Sequence, residues 1–227
     1  MNGERFSDSA VLRSWTKNAA AWVEAVRERQ IESRRAATDA AIVDAVLSRA
    51  PRSVLDIGCG EGWLARELAN HRIRVTGVDA VPELVQTAQT AGGGHFLLMP
   101  YDRLSVATVG TAVDVAVANF SLLGKESTEA VFRAIPGLLN PSGAFMIQTL
   151  HPFFACGDMP YRDGWREATW QGFETDFAAP APWYFRTMES WIGMFGENGL
   201  TVREVREPVH PQTRQPASVI FVVEPTH

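Results

Sequence analysis

The sequence is poor in the features that direct a chain toward extracellular, membrane, metal or nucleic-acid roles. Its 227 residues hold two cysteines, Cys59 and Cys156, too few for a disulfide framework, so a reducing, cytoplasmic setting is expected. Those cysteines and the five histidines show no ligand spacing, and no metal is expected. No apolar run approaches the roughly 20 residues that cross a bilayer. The N-terminal MNGERFSDSAVLRSW lacks the apolar stretch of a secretory leader. Nor is there a basic surplus: 21 Lys and Arg face 26 Asp and Glu, a net charge of −5, which argues against nucleic acid as a partner. Internal repeats and low-complexity tracts are also missing.

What is present is the composition of one globular domain, 46% hydrophobic and 21% charged. Residues 7–48 read as helix, with Ser7 or Ser14 as cap and Trp15, Ala19, Trp22, Val23 and Val26 near helical spacing. A second helix runs from about Thr38 to Arg49, and Pro51 ends it. Then strand-like runs at Ser53–Ile57, Arg74–Val78, His95–Met99, Val113–Asn119 and Ala144–Leu150 alternate with helix-like segments at Gly62–His71, Pro82–Ala91 and Ser127–Leu139. The strands are apolar throughout, as when helices cover both faces, and the alternation predicts a parallel sheet with right-handed crossovers. Residues 151–185 interrupt this rhythm with aromatics, Pro, Gly and acids in no clear period, as a lid or binding loop would. A helix near Arg186–Asn198 and strands at Leu200–Arg206 and Ala217–Val223 close the chain.

The chemistry begins at Val54–Leu64, VLDIGCGEGWL. Strand, glycine turn, helix lets a backbone approach a ligand closely because Cβ is absent. A phosphate-gripping loop would need a Gly-Lys-Ser/Thr, which is missing. A dinucleotide fingerprint wants a third glycine where Trp63 stands. The pattern is D-x-G-x-G-x-G, with Asp56 inside the strand and glycines at 58, 60 and 62. A carboxylate there repels pyrophosphate but suits a ligand carrying an ammonium group and a sulfonium.

On these residues the chain resembles the class I S-adenosylmethionine-dependent methyltransferases of small-molecule, quinone-biosynthesis-like type. The resemblance is strong over 50–150 and weaker over 186–223, where RTMESWIGMFGENGLTV is similar to the last helix and strand of those enzymes. It implies a Rossmann-like, doubly wound, mostly parallel seven-stranded sheet with the last strand antiparallel, in a single domain. That domain divides into an N-terminal helical cap (1–50), a cofactor core (51–150), a substrate or lid insertion (151–185) and a C-terminal part (186–227). The implied cofactor is S-adenosyl-L-methionine, with S-adenosyl-L-homocysteine as product. The turn of Asp56, Gly58, Cys59 and Gly60 would pass under its amino-acid and ribose parts. Asp79, about 20 residues on and followed by Ala80, is placed to take both ribose hydroxyls, as in dinucleotide enzymes. The adenine edge falls at MPYDRL, with Tyr101, Asp102 and neighbouring backbone as alternatives. Asn119 and Phe120 end the fourth strand without the prolines of DNA-amine methylases. Arg34 or Arg35 is placed for the cofactor carboxylate, though two adjacent arginines also read as a solvated face.

Asn119 and His151 both end strands, where ligands bind in open parallel sheets. His151 is the imidazole placed as a general base, and a histidine held by hydrogen bonds at a strand end is the alternative; His210 is the weaker candidate. Trp15 and Trp22, with Phe153, Phe154, Tyr161, Trp165, Trp183 and Tyr184, are expected to wall an apolar acceptor pocket, alongside Trp170, Phe173, Phe177 and Phe185 of the same insertion. Part of so dense an aromatic set is core. Asp158, Asp163, Glu167, Glu174 and Asp176 suit a cationic amine or a solvated loop equally. Cys156 reads as a small packed residue. The expected activity is methylation of a small aromatic or apolar acceptor, at O or C, by a monomer or homodimer without nucleic-acid or membrane partners. A nucleotide-dependent oxidoreductase and a non-catalytic adenosyl-ligand-binding protein are the alternatives.

Overall fold

A computed structural model describes residues 5–167, 177–178 and 182–226; Trp170, Phe173, Glu174 and Asp176 lie outside the described residues. Ser7 accepts the Ala10 amide at 3.2 Å and starts helix α1 (Asp8–Arg27). Ser7, not Ser14, is therefore the cap. Asp8, in the first turn, accepts the amides of Lys125 at 2.8 Å and Ser127 at 2.5 Å, pinning the start of α1 to a distant helix. A π-helical turn, Arg34–Thr38, leads into α2 (Asp39–Leu47).

Strands β1 (Ser53–Ile57), β2 (Arg74–Asp79), β3 (His95–Leu98), β4 (Val113–Asn119) and β5 (Leu139–Thr149) alternate with helices α3 (Trp63–Asn70), α4 (Pro82–Ala91), a short α5 (Val106–Val109) and α6 (Glu126–Leu138). After β5 come a one-turn α7 (Pro152–Ala155), a hairpin of β6 (Gly164–Glu167) and β7 (Pro182–Phe185), α8 (Met188–Glu197), β8 (Leu200–Arg206) and β9 (Val219–Pro225). The main sheet has seven strands in the order β3-β2-β1-β4-β5-β9-β8. Strands β1 to β5 pair in parallel, and β9 runs antiparallel to both neighbours. The implied architecture is the observed one.

Two apolar layers hold the sheet. Leu55, Ile57, Ala116, Ala118, Phe145, Ile147 and Phe221 face α6 and α8, where Phe132 stacks on Phe195 with centroids 5.5 Å apart. Val54, Val115, Val117, Ala144, Met146, Ile220 and Val222 face α2, α3 and α4. Each fully buried Phe or Leu contributes roughly 1.5–3 kcal/mol, so these two layers carry the fold. The Pro141-Ser142-Gly143 turn is embedded in β5: pairing jumps from Val113 with Leu139 to Val115 with Ala144, and the residues between bulge out. Within the insertion that reads as aperiodic, the described residues include α7 and the two paired strands of the hairpin. Its regularity is hidden in the sequence because a four-residue hairpin strand shows almost no period.

The strand order reverses between β1 and β4, so the crevice outside their C-terminal ends is where this fold accepts a ligand.

Candidate active site

The glycine turn is held from below and open above. Gly58 (φ +76°) and Cys59 donate their amides to the Val78 carbonyl at 2.8 and 3.0 Å, tying the turn to β2. A Cβ on Gly58 would lie 2.3 Å from both Ser121 Cβ and Tyr101 Oη, whereas one on Gly60 would meet only Trp22 Nε1, at 3.6 Å. Gly58 is thus needed for packing, and Gly60 for an open approach. Cys59 turns its thiol into the core and burial pushes that thiol up, so it can offer a ligand backbone only.

Three acids sit in or beside this turn. Asp56 is 2% exposed, and its Oδ2 is buried without a hydrogen-bond partner. Burial, with the nearby Asp79 charge second, pushes its carboxyl up to about 7. Asp79 accepts the Gly60 amide on Oδ2 and the Val81 amide on Oδ1, each at 2.9 Å. Burial raises it, and those amides offset part of the effect. The two amides fix the plane of the carboxylate while lone pairs remain for a ligand. Glu61, fully buried, was not singled out in the sequence. Both its oxygens accept Arg66 Nη2 at 2.7 Å, and Arg27 of α1 lies 3.5 Å away. Its signal was an arginine one and a half helical turns on, which becomes a partner only once the turn is folded.

The end of β4 continues the row. Asn119 Oδ1 is buried and unpartnered, and Asn119 pairs in register with Gln148, whose Oε1 is buried and unpartnered too. Phe120 adopts φ +53°, a strained conformation for a non-glycine residue of the kind that gathers at functional sites. Ser121 donates to the Ile57 carbonyl at 2.5 Å and Tyr101 Oη to the Ser121 carbonyl at 3.3 Å; burial raises the phenol. Tyr101 therefore closes the floor, while Asp102 points to solvent. Ala80, half-buried, links Asp79 to Val81 at the rim.

Arg34, not Arg35, faces inward. Arg34 is 9% exposed, donates to Asp39 Oδ1 at 2.9 Å, and its guanidinium lies 4.6 Å from the Trp63 ring centre and 5.8 Å from that of Trp22. Trp15 and Trp22 meet edge to face at 5.0 Å and pack with Val81 and Leu84 beside Asp79. The hairpin docks from the other side: Tyr184 donates its amide to the Leu123 carbonyl at 2.8 Å, and Trp165 meets Tyr184 across the strands at 5.5 Å. Trp183 is half-buried beside Phe185. The structure sets Trp15 and Trp22 beside Asp79, and carries Trp165, Trp183 and Tyr184 on the hairpin that docks on the loop after β4. It leaves Phe153 largely in solvent, packs the partly exposed Phe154 on His151, and sets the Tyr161 hydroxyl to accept the Met188 amide at 2.9 Å at the start of α8.

Among the described residues, no three His, Cys, Asp or Glu side chains group as a metal site would need, and no helix is long and apolar enough to cross a membrane. A turn open to a ligand, ringed by acceptor oxygens and two carboxylates without cationic partners, suits a ligand that brings donors and positive charge.

The sequence model of a methyltransferase domain matches residues 27–205, most of the chain. The chain belongs to the methyltransferase domain family. It is 30% identical over 110 residues, 48% of this chain and 56% of the other, to an uncharacterised methyltransferase of Mycobacterium tuberculosis. It is 32% identical over 113 residues, 48% and 47%, to a ubiquinone biosynthesis O-methyltransferase of Xanthomonas oryzae pv. oryzae. The chain thus spans about half the length of the curated relatives it matches. Among solved structures, a Burkholderia thailandensis 1,6-didemethyltoxoflavin-N1-methyltransferase with bound 1,6-didemethyltoxoflavin and S-adenosylhomocysteine shares the fold. Its TM-score is 0.65 at 24% identity, over 96% of this chain and 89% of that one.

Proposed function

We propose that this protein transfers a methyl group from S-adenosylmethionine to a small aromatic or apolar acceptor, at oxygen or carbon. The observation that carries the reading is the orphaned Asp56 Oδ2 beside the open Gly60. A buried, unpartnered carboxylate is costly unless a donor or cation arrives, and the cofactor's ammonium group is such a partner. Asp79 holds the ribose hydroxyls with its two remaining lone-pair positions, Tyr101 and the adjacent backbone border the adenine, and Arg34 faces the cofactor carboxylate. The cofactor supplies an activated methyl on a sulfonium, so the protein's main contribution is alignment in a dry crevice. Trp15, Trp22, Trp165, Trp183 and Tyr184 wall the acceptor and exclude water, and His151 takes the acceptor's proton. The free, buried thiols of Cys59 and Cys156 support a reducing, cytoplasmic setting.

The test is calorimetry with S-adenosylhomocysteine and with a nicotinamide dinucleotide. The first is expected to bind and the second not, and folded Asp79→Ala is expected to lose about 1.5–3 kcal/mol of affinity, roughly 10- to 150-fold. Wild-type affinity in Asp79→Ala, or preference for the dinucleotide, overturns the assignment.

A further inference from the structure

Two buried histidines lie at the C-terminal edge of the sheet, and the same loop touches both. His210 is 6% exposed. Its Nε2 lies 3.2 Å from Glu32, and its Nδ1 accepts the amides of Gln212 and Thr213 at 3.3 and 3.4 Å. Both ring nitrogens are occupied, and the imidazole is a fastener between the loop and the linker after α1. His151 is 8% exposed and differs in one respect. Its Nε2 lies 2.8 Å from Glu207 Oε1, but its Nδ1 is buried without a partner. The ring is steadied by Phe154, edge-on at 5.2 Å between centroids.

Glu207 reaches His151 because of topology. Strand β8 runs antiparallel to β9 and so parallel to β5. The residue directly after β8 therefore emerges at the edge where β5 ends and His151 stands. Its side chain is about half exposed (56%), so the carboxylate keeps water on one side and the imidazole on the other. A carboxylate can only accept, which makes the shared hydrogen the one on Nε2, and in the neutral imidazole this leaves the lone pair on Nδ1.

We propose that Glu207 is a positioning residue that holds His151 in the Nε2–H tautomer, so that Nδ1 is the atom that receives the acceptor's proton. The proposal rests on the methyltransferase reading for the identity of the proton donor. In the step, the acceptor's O–H or C–H bond breaks, its electron pair stays on the acceptor atom, and a new N–H bond forms at Nδ1. The resulting imidazolium is compensated by the Glu207 carboxylate through the hydrogen bond already in place, as an acid behind a catalytic histidine does.

The test begins without any ligand. Two-bond proton–nitrogen correlation spectra of histidine-labelled protein, with the His151 signals assigned by their loss in His151→Asn, read the tautomer directly. Wild type is expected as the Nε2–H form with an unprotonated Nδ1. Glu207→Ala is expected to mix the two tautomers, and Glu207→Gln, which keeps an accepting oxygen, to restore the Nε2–H form. An Nδ1–H wild type, or a Glu207→Ala protein with the wild-type tautomer, overturns the proposal. Glu207→Ala is expected to bind S-adenosylhomocysteine as wild type does. Failure of wild type itself to bind would count against the methyltransferase reading and leave the tautomer result standing. With an acceptor that is turned over, Glu207→Ala is expected to lower kcat at neutral pH about tenfold or more at unchanged KM. An unchanged kcat would make the pair a fastener like His210 and Glu32, and overturn the catalytic part.

Discussion

Asp56 and Asp114 stand on neighbouring strands of one sheet, at its opposite edges, and their chemistry is opposite. Asp114, at the start of β4, accepts the amides of Arg52 at 2.8 Å and Ser53 at 3.1 Å on one oxygen and the Asn140 amide group at 2.8 Å on the other. Burial works against its charge, but the hydrogen bonds from Asn140, Arg52 and Ser53 outweigh it and hold the carboxyl below its ordinary value. Asp56, near the end of β1, has an orphaned oxygen and is pushed up to about 7. The N-terminal edge also carries an open groove of about 610 Å³ lined by Arg52, Arg74, His95, Asp114 and Asn140. Concavity alone would place the function there. The unmet hydrogen bonding that supports the proposed site lies at the other edge, together with the left-handed Phe120 and the orphaned Asn119. An edge whose polar groups are satisfied closes the structure, and one whose groups are not awaits a ligand.

The largest way to test that contrast is Asp56→Asn. An unfolded Asp titrates near 3.9 and the folded one at about 7, a gap worth on the order of 4 kcal/mol. Between these values the folded state holds a proton that the unfolded chain has lost. Stability present below about pH 4 is therefore given up as pH rises to about 7, and stays lost above. Asp56→Asn is expected to remove that decline, so urea midpoints of the two proteins converge at low pH and the mutant is the more stable at pH 8, while its affinity for S-adenosylhomocysteine falls. Parallel stability curves from pH 5 to 8 would show that Asp56 has a partner in solution.

Next is the pair Gly58→Ala and Gly60→Ala. At Gly58 the added Cβ meets Ser121 and Tyr101 at 2.3 Å with φ +76°, so left-handed strain and overpacking together cost roughly 3 kcal/mol. At Gly60 φ is +55° and the added Cβ meets only Trp22 Nε1, at an ordinary contact distance of 3.6 Å, so stability falls by only about 1–2 kcal/mol while ligand affinity suffers more. Equal stability losses at both sites would mean the turn is packed on both sides and offers no cradle.

Much of this is legible in the sequence. Buried parallel strands announce themselves as continuous apolar runs, so the expected bounds of Ser53–Ile57 and Val113–Asn119 match to the residue, and the spacing of the glycines alone marks the turn. What the sequence does not reveal is pairing between distant segments. Asp8 capping α6, Glu207 behind His151, Glu61 between Arg27 and Arg66, and Trp22 over Gly60 are all contacts set by the crossovers. The hairpin is hidden for a related reason. Its strands are short, and its two halves join across a stretch of sequence with no pattern of its own.

The smallest effect falls on the satisfied edge. Asp114→Ala removes an acceptor from two backbone amides at the start of β1 and from Asn140 in β5, a clamp across three strand ends. Because the site is only half-buried, water can replace much of what is lost, and a cost of about 1–2 kcal/mol is expected. The pH sign is the reverse of that for Asp56. A carboxyl held low in the folded state stabilises above its unfolded value and loses that contribution as pH falls through the folded one. The wild-type advantage over Asp114→Ala is therefore expected at pH 7 and to shrink on acidification, measured as the difference in urea midpoint. Affinity for S-adenosylhomocysteine is expected to stay at the wild-type value, because no element of the glycine turn touches this clamp. A large affinity loss with little change in stability would instead show that the N-terminal groove communicates with the crevice, and the division of the sheet into a closed edge and a binding edge would fail.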